Sequence, residues 1–94
     1  MESSILNSTK KILGIHENYT AFDLDITTHI NSSLSILDQL GIGPAGGFYI
    51  QDQAEKWSDL GLPANQMNLV RTYIFLRVRM LFDRDWETTS RSNT

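Results

Sequence analysis

The chain has 94 residues, a 40% hydrophobic composition, a formal net charge of −3, eight Lys and Arg together, and no cysteine. That length suits a single domain with a modest core, so part of its stability is expected from partners. The charge opposes general nucleic-acid binding, which needs a basic face to displace counterions. The lack of cysteine excludes disulfides, thiolate metal sites and cysteine nucleophiles.

No apolar run approaches the roughly 20 residues of a membrane span. The opening MESSILNSTKK has no basic-then-apolar leader pattern, so a soluble, intracellular origin is expected. Sequons at Asn7, Asn18 and Asn31 are then chance matches.

In chain order, Ser3–Leu13 reads as a short helix, with Ile5, Leu6, Thr9, Ile12 and Leu13 on one side. Lys10 and Lys11 stand where the helix dipole favours cations, and Gly14 is placed to end the helix in the left-handed conformation. The stretch Thr20-Ala-Phe-Asp23 has the form of a capping box. Behind it Phe22, Ile26, Ile30, Leu34, Leu37 and Leu40 recur every three or four residues, which predicts about twenty residues of amphipathic helix.

The next stretch, GIGPAGG from Gly41 to Gly47, contains the letters of a dinucleotide-binding fingerprint. In that fold the glycines follow a strand and open a helix, whose N-terminus holds the pyrophosphate. Here they follow a helix, whose C-terminus repels phosphate. They are therefore read as a helix stop and a mobile loop built on Gly43, Pro44, Gly46 and Gly47, with no cofactor. The composition of Phe48-Tyr-Ile50 allows a short strand pair.

Asp52–Leu60 reads as a short helix opened by Asp52-Gln-Ala-Glu55 and closed by Gly61. The last helix is expected over Pro63–Phe82. Its apolar residues cover more than half of the circumference, leaving Asn68, Thr72 and Arg79 as a polar strip. Arg77 falls within the apolar arc and needs to snorkel or to find a carboxylate, in this chain or in another copy. Residues 84–94 are polar and without period, a tail expected to be flexible, with Trp86 as its one group able to dock. Residues 1–83 then form the domain.

Little here suggests catalysis or metal binding. Asp25 and His29 are one helical turn apart and can touch, but no third group is placed to orient them, so a plain hydrogen bond is expected. Asp23 and Asp25 point to different faces and serve the helix dipole, while Tyr19 and Phe22 should form a local contact. Arg71, Arg77, Arg79 and Arg84 give the last helix a basic character that suits either ion pairs or an acidic partner. The residues alone predict an all-α domain of four small helices with a glycine-rich loop, made for interaction.

Three stretches go further: ILNSTKKILGI, Asn18–Ile50, and MNLVRTYIFLRVRMLFD from Met67 to Asp83. Together they resemble the head–tail connector proteins of tailed bacteriophages, also called adaptor or head-completion proteins. The shared order is Tyr-Thr-Ala-Phe-Asp, His-Ile-Asn, Gln-Leu-Gly, a glycine loop before Phe48, then Tyr73, Leu76 and Arg79 before Leu-Phe-Asp. After Asp83 the family continues with proline and a further helix, whereas this chain has Arg84-Asp-Trp-Glu.

The resemblance implies a virion protein of the neck, made in the host cytoplasm, that forms a ring, usually twelvefold, beneath the portal. Its partners would be copies of itself, the portal protein and a tail-side completion protein. DNA would pass through the channel without sequence-specific binding, and no catalysis, cofactor or membrane would be involved. Tyr73, Arg77, Arg79, Met80, Phe82 and Trp57 are the residues expected at a subunit or portal interface. The competing readings are a small helical regulatory or nucleic-acid-binding module, motivated by the arginines, and an enzyme resting on Asp25 and His29.

Overall fold

The computed structural model describes the backbone of residues 3–92 and the side chains of residues 3–84. Three α-helices form the fold: α1 (Ile5–Ile12), α2 (Asp23–Gln39) and α3 (Ala64–Ser92), with one 3-10 turn at Trp57–Leu60 before the last. No strand occurs among the described residues.

Helix α1 begins at Ser4, whose Oγ accepts from the Asn7 amide at 3.2 Å. It ends as its glycine predicts. Gly14 takes φ 78°, and the Gly14 and Ile15 amides return to the Lys11 and Lys10 carbonyls, the Schellman arrangement. Helix α2 ends the same way: Gly41 has φ 80°, and the Gly41 and Ile42 amides bond the Asp38 and Leu37 carbonyls. The loop glycines thus begin by satisfying the last carbonyls of a helix, the opposite polarity to a phosphate cradle.

The start of α2 departs from the predicted capping box. Phe22 occupies the cap without a side-chain bond, and Thr20 contributes only its carbonyl, to the Asp23 amide at 3.1 Å. The Asp23 carboxylate has a different use. It meets Lys10 Nζ at 2.7 Å, and that lysine, only 1% exposed, also donates to the Glu17 carbonyl at 2.9 Å. This ion pair ties α1 to the first turn of α2. The expected contact of Tyr19 with Phe22 is present at 5.7 Å, and Phe22 continues edge-on to Phe82 at 5.3 Å.

Phe82 lies beside the start of α2, while Val70 lies near Leu34 and Leu37 towards its end. Helices α2 and α3 therefore run antiparallel. Between them and α1 the core gathers Ile5, Leu6, Ile26, Ile30, Leu34, Leu37, Val70, Ile74 and Val78, with Ile50, Trp57 and Leu60 supplied by the connection.

Two predicted elements are replaced in that connection. Phe48–Ile50 forms no strand. Instead the Asn31 carboxamide imitates one: its Oδ1 accepts from the Ile50 amide at 2.8 Å and its Nδ2 donates to the Ile50 carbonyl at 3.0 Å. Asn31→Ala leaves both groups of a buried residue without a partner. It is expected to cost about 1–3 kcal/mol, read as a lowered urea midpoint, with the helical content of the folded state unchanged.

The helix expected over Asp52–Leu60 contracts to the 3-10 turn. Its capping residues act locally, Asp52 on the Ala54 amide and Glu55 on the Gln51 and Asp52 amides. The Glu55 carbonyl and Trp57 amide are taken by Ile5 and Ser3, around an isolated bridge between Ser4 and Lys56. Side-chain and tertiary bonds thus outcompete the helix there.

Helix α3 starts with the Met67 amide on the Pro63 carbonyl at 2.8 Å. It runs through Ser92, well past the expected end at Phe82. Residues 84–92 contain no glycine or proline, so nothing in the chain stops propagation. The predicted docking of Trp86 concerns a side chain outside the described ones. A 29-residue helix is roughly 44 Å long, which accounts for most of the 46 Å long axis of the molecule.

Candidate functional site

Helix α3 is apolar over too much of its surface for one side to serve. Val70, Ile74 and Val78 face the core and are buried. About 140° round the helix, at 100° per residue, lie Leu69, Leu76 and Met80, which remain 72%, 66% and 52% exposed. Their spacing of seven and four residues keeps them in one line along the axis. At the Leu69 end the line runs into a shallow hollow bordered by Gly41, Ile42 and Gln66. The glycine loop therefore abuts the exposed stripe. Gly43, Gly46 and Gly47 all have positive φ there, a backbone that other L-residues rarely adopt.

The predicted interface residues divide between this stripe and the interior. Met80 lies in the stripe, and Arg79 beside it is exposed. Tyr73 is half-buried against the core. Phe82 is half-buried and packs on Phe22. Arg77 is half-buried and donates to Ser32 Oγ on α2 at 3.3 Å. Its partner is thus a hydroxyl of its own chain, and no carboxylate lies within ion-pair distance among the described residues.

Trp57 is a core residue. Its indole N–H donates to Ser8 Oγ at 2.8 Å, its ring stands edge-on to Phe75 at 5.6 Å, and the Arg71 guanidinium lies 5.3 Å over its face. Such an arginine contributes about 0.5–2 kcal/mol through the ring quadrupole. The tryptophan therefore joins α1, the 3-10 turn and α3 instead of presenting a surface.

Leu69 and Leu76, which sequence reasoning did not single out for an interface, are more exposed than Met80, which it did. The available signal was the width of the apolar arc, which exceeds what a single core contact needs. Leu24, 78% exposed at the start of α2, was also missed. The Asp25–His29 pair does not develop into a metal centre: no group of three or more ligating side chains converges among the described residues. His16 Nδ1 accepts from the Asn18 amide at 3.1 Å, a local turn contact. No described helix is long and apolar enough to cross a membrane.

The geometry thus offers a projecting apolar stripe with arginine beside it, suited to binding a protein surface. Comparison with known proteins agrees in kind. No curated protein and no solved structure matches the chain significantly. A family model described as phage connector protein matches residues 5–94. That span continues beyond Asp83, where the resemblance of the separate motifs ends, and takes in the last turns of α3. The chain belongs to the phage connector protein family, and so to the structural components of the virion.

Proposed function

We propose that this protein is the adaptor that joins capsid to tail, assembling as a ring, twelvefold in the simplest case, beneath the portal. Copies of the chain pack laterally through the outer face of α3, with the portal above and a tail-side completion protein below. DNA passes through the lumen without sequence-specific contact, which a chain of net charge −3 favours. The carrying observation is the stripe of Leu69, Leu76 and Met80, left in water by the fold.

Magnitudes bear on how the ring would form. Fully burying one such side chain gains about 1.5–3 kcal/mol. Three partly buried ones gain roughly 3–6 kcal/mol. Association costs an estimated 4–15 kcal/mol in lost freedom. A single lateral contact is therefore weak, whereas a closed ring gives each subunit two contacts and docking on a portal pre-aligns them.

Leu76→Asp with Met80→Asp is expected to abolish incorporation into neck assemblies while leaving the melting temperature of the isolated chain within about 6 °C, because exposed substitutions change stability little. Native mass measurement of the assembly reads the result in multiples of 10.7 kDa. Absence of the wild-type chain from the neck, or incorporation of the double variant at the wild-type level, overturns the proposal.

A further inference from the structure

A ring of identical subunits needs two different surfaces on each copy, because the contact is head-to-tail. The stripe on α3 is one of them, and the structure shows a second exposed apolar point, on α2. Leu24 projects from the first turn of α2, beside a shallow hollow bordered by Thr27, Gln51 and Asp52. Tyr49 is exposed on the neighbouring connection, where Ile50 beside it is buried. On the α2 wheel Leu24 falls about 20° from Asn31, which holds that segment, and about 80° from Ser32, which meets Arg77 of α3. The two apolar surfaces therefore open in different directions.

Their charges are complementary. Between Ala64 and Phe82, α3 carries Arg71, Arg77 and Arg79 and no acidic residue. The Leu24 side has the opposite balance. With Asp23 already paired to Lys10, Asp25 and Asp52 remain exposed beside Leu24, and neither α2 nor residues 48–55 carry a lysine or arginine. Resting on the ring reading above, we propose that the Leu76–Met80 part of the stripe docks on the Leu24 surface of the next copy, with Leu76 seated in the hollow beside Leu24 and Arg79 facing Asp52. A stripe-to-stripe dimer is disfavoured, because it brings the exposed Arg79 of each copy to the same seam. Like charges in contact cost affinity and suppress the wrong register.

The cysteine-free sequence makes the pairing testable by disulfide trapping in the full-length chain. Leu24→Cys and Leu76→Cys are prepared separately, and each is checked for wild-type melting. They are then oxidised mildly at high concentration, alone and as an equimolar mixture. The expected result is a 24–76 cross-linked dimer in the mixture, in at least tenfold excess over dimer in either single variant. The chain carrying both substitutions should give a ladder of higher multimers. Efficient dimerisation of Leu76→Cys alone would overturn the pairing and leave self-association standing. No cross-link in any variant would overturn the pairing, while the ring stands or falls separately on incorporation of the wild-type chain into neck assemblies.

Discussion

Trp57→Ala lowers the unfolding free energy by about 3–5 kcal/mol, the range for removing a large buried aromatic side chain. Three separate attachments disappear together. The indole bond to Ser8 fastens the 3-10 turn to α1, the edge contact with Phe75 fastens it to α3, and Arg71 loses the ring beneath its guanidinium. Small domains have only about 5–15 kcal/mol in total. The variant should therefore unfold at less than half of the wild-type urea concentration, or fail to fold at room temperature. Trp57→Phe separates the causes. It keeps most of the apolar volume and leaves Ser8 Oγ without the indole donor, so a loss of about 1–2 kcal/mol is expected. Equal losses in the two variants would show that the hydrogen bond, and not packing, carries the residue. A change below 1 kcal/mol in Trp57→Ala would show that Trp57 is not a junction of the core.

Asp23→Ala has the second largest expected effect, about 3 kcal/mol. Taking one partner from a buried ion pair costs about 3–5 kcal/mol because the other charge stays behind without compensation. Here the charge left behind is Lys10, almost wholly enclosed, with only the Glu17 carbonyl remaining. The lower end of the range applies because the Asp23 side is partly open to water. The reverse change should be milder. Lys10→Met keeps the buried stem, and the carboxylate it leaves behind reaches solvent and sits in the favourable field of the α2 N-terminus. A loss of about 1–2 kcal/mol is expected there. Urea unfolding of both variants tests the order, and a Lys10→Met chain less stable than Asp23→Ala would invert the account of which charge is trapped.

Helix ends and interior faces were legible because they depend on neighbours in sequence. Gly14 and Gly41 stop their helices as read, since the αL conformation and the bonds it permits involve only six consecutive residues. Of the face predicted from Phe22 to Leu40, Ile26, Ile30, Leu34 and Leu37 are buried as their spacing requires, whereas Leu40, past the last turn, is 68% exposed. The failures share one cause. Thr20 has the residue type of a capping box but serves the Asp23 amide with its carbonyl, and Asp52 and Glu55 make their local bonds without a helix following, because the Glu55 carbonyl and the Trp57 amide are held by Ile5 and Ser3. Nothing local marks Asn31, yet its carboxamide holds a segment nineteen residues away through both of its polar groups. Trp57 looked like an interface aromatic, and its destination depends on Ser8 and Phe75, which no local pattern connects to it.

By itself the sequence determined an all-helical chain without cysteine chemistry, glycines that end helices instead of cradling phosphate, and a last helix with more apolar surface than one core consumes. Those properties follow from composition, period and local dihedral preference, which act over one or two turns. Only the tertiary structure decided how that surface is divided. The same wheel is compatible with burying Leu69, Leu76 and Met80 or Val70, Ile74 and Val78. The antiparallel approach of α2 and the seating of Trp57 selected the second set, leaving the first in water. A helix wheel states how wide an apolar face is; which part of it meets a neighbour is set by where the other elements come to rest.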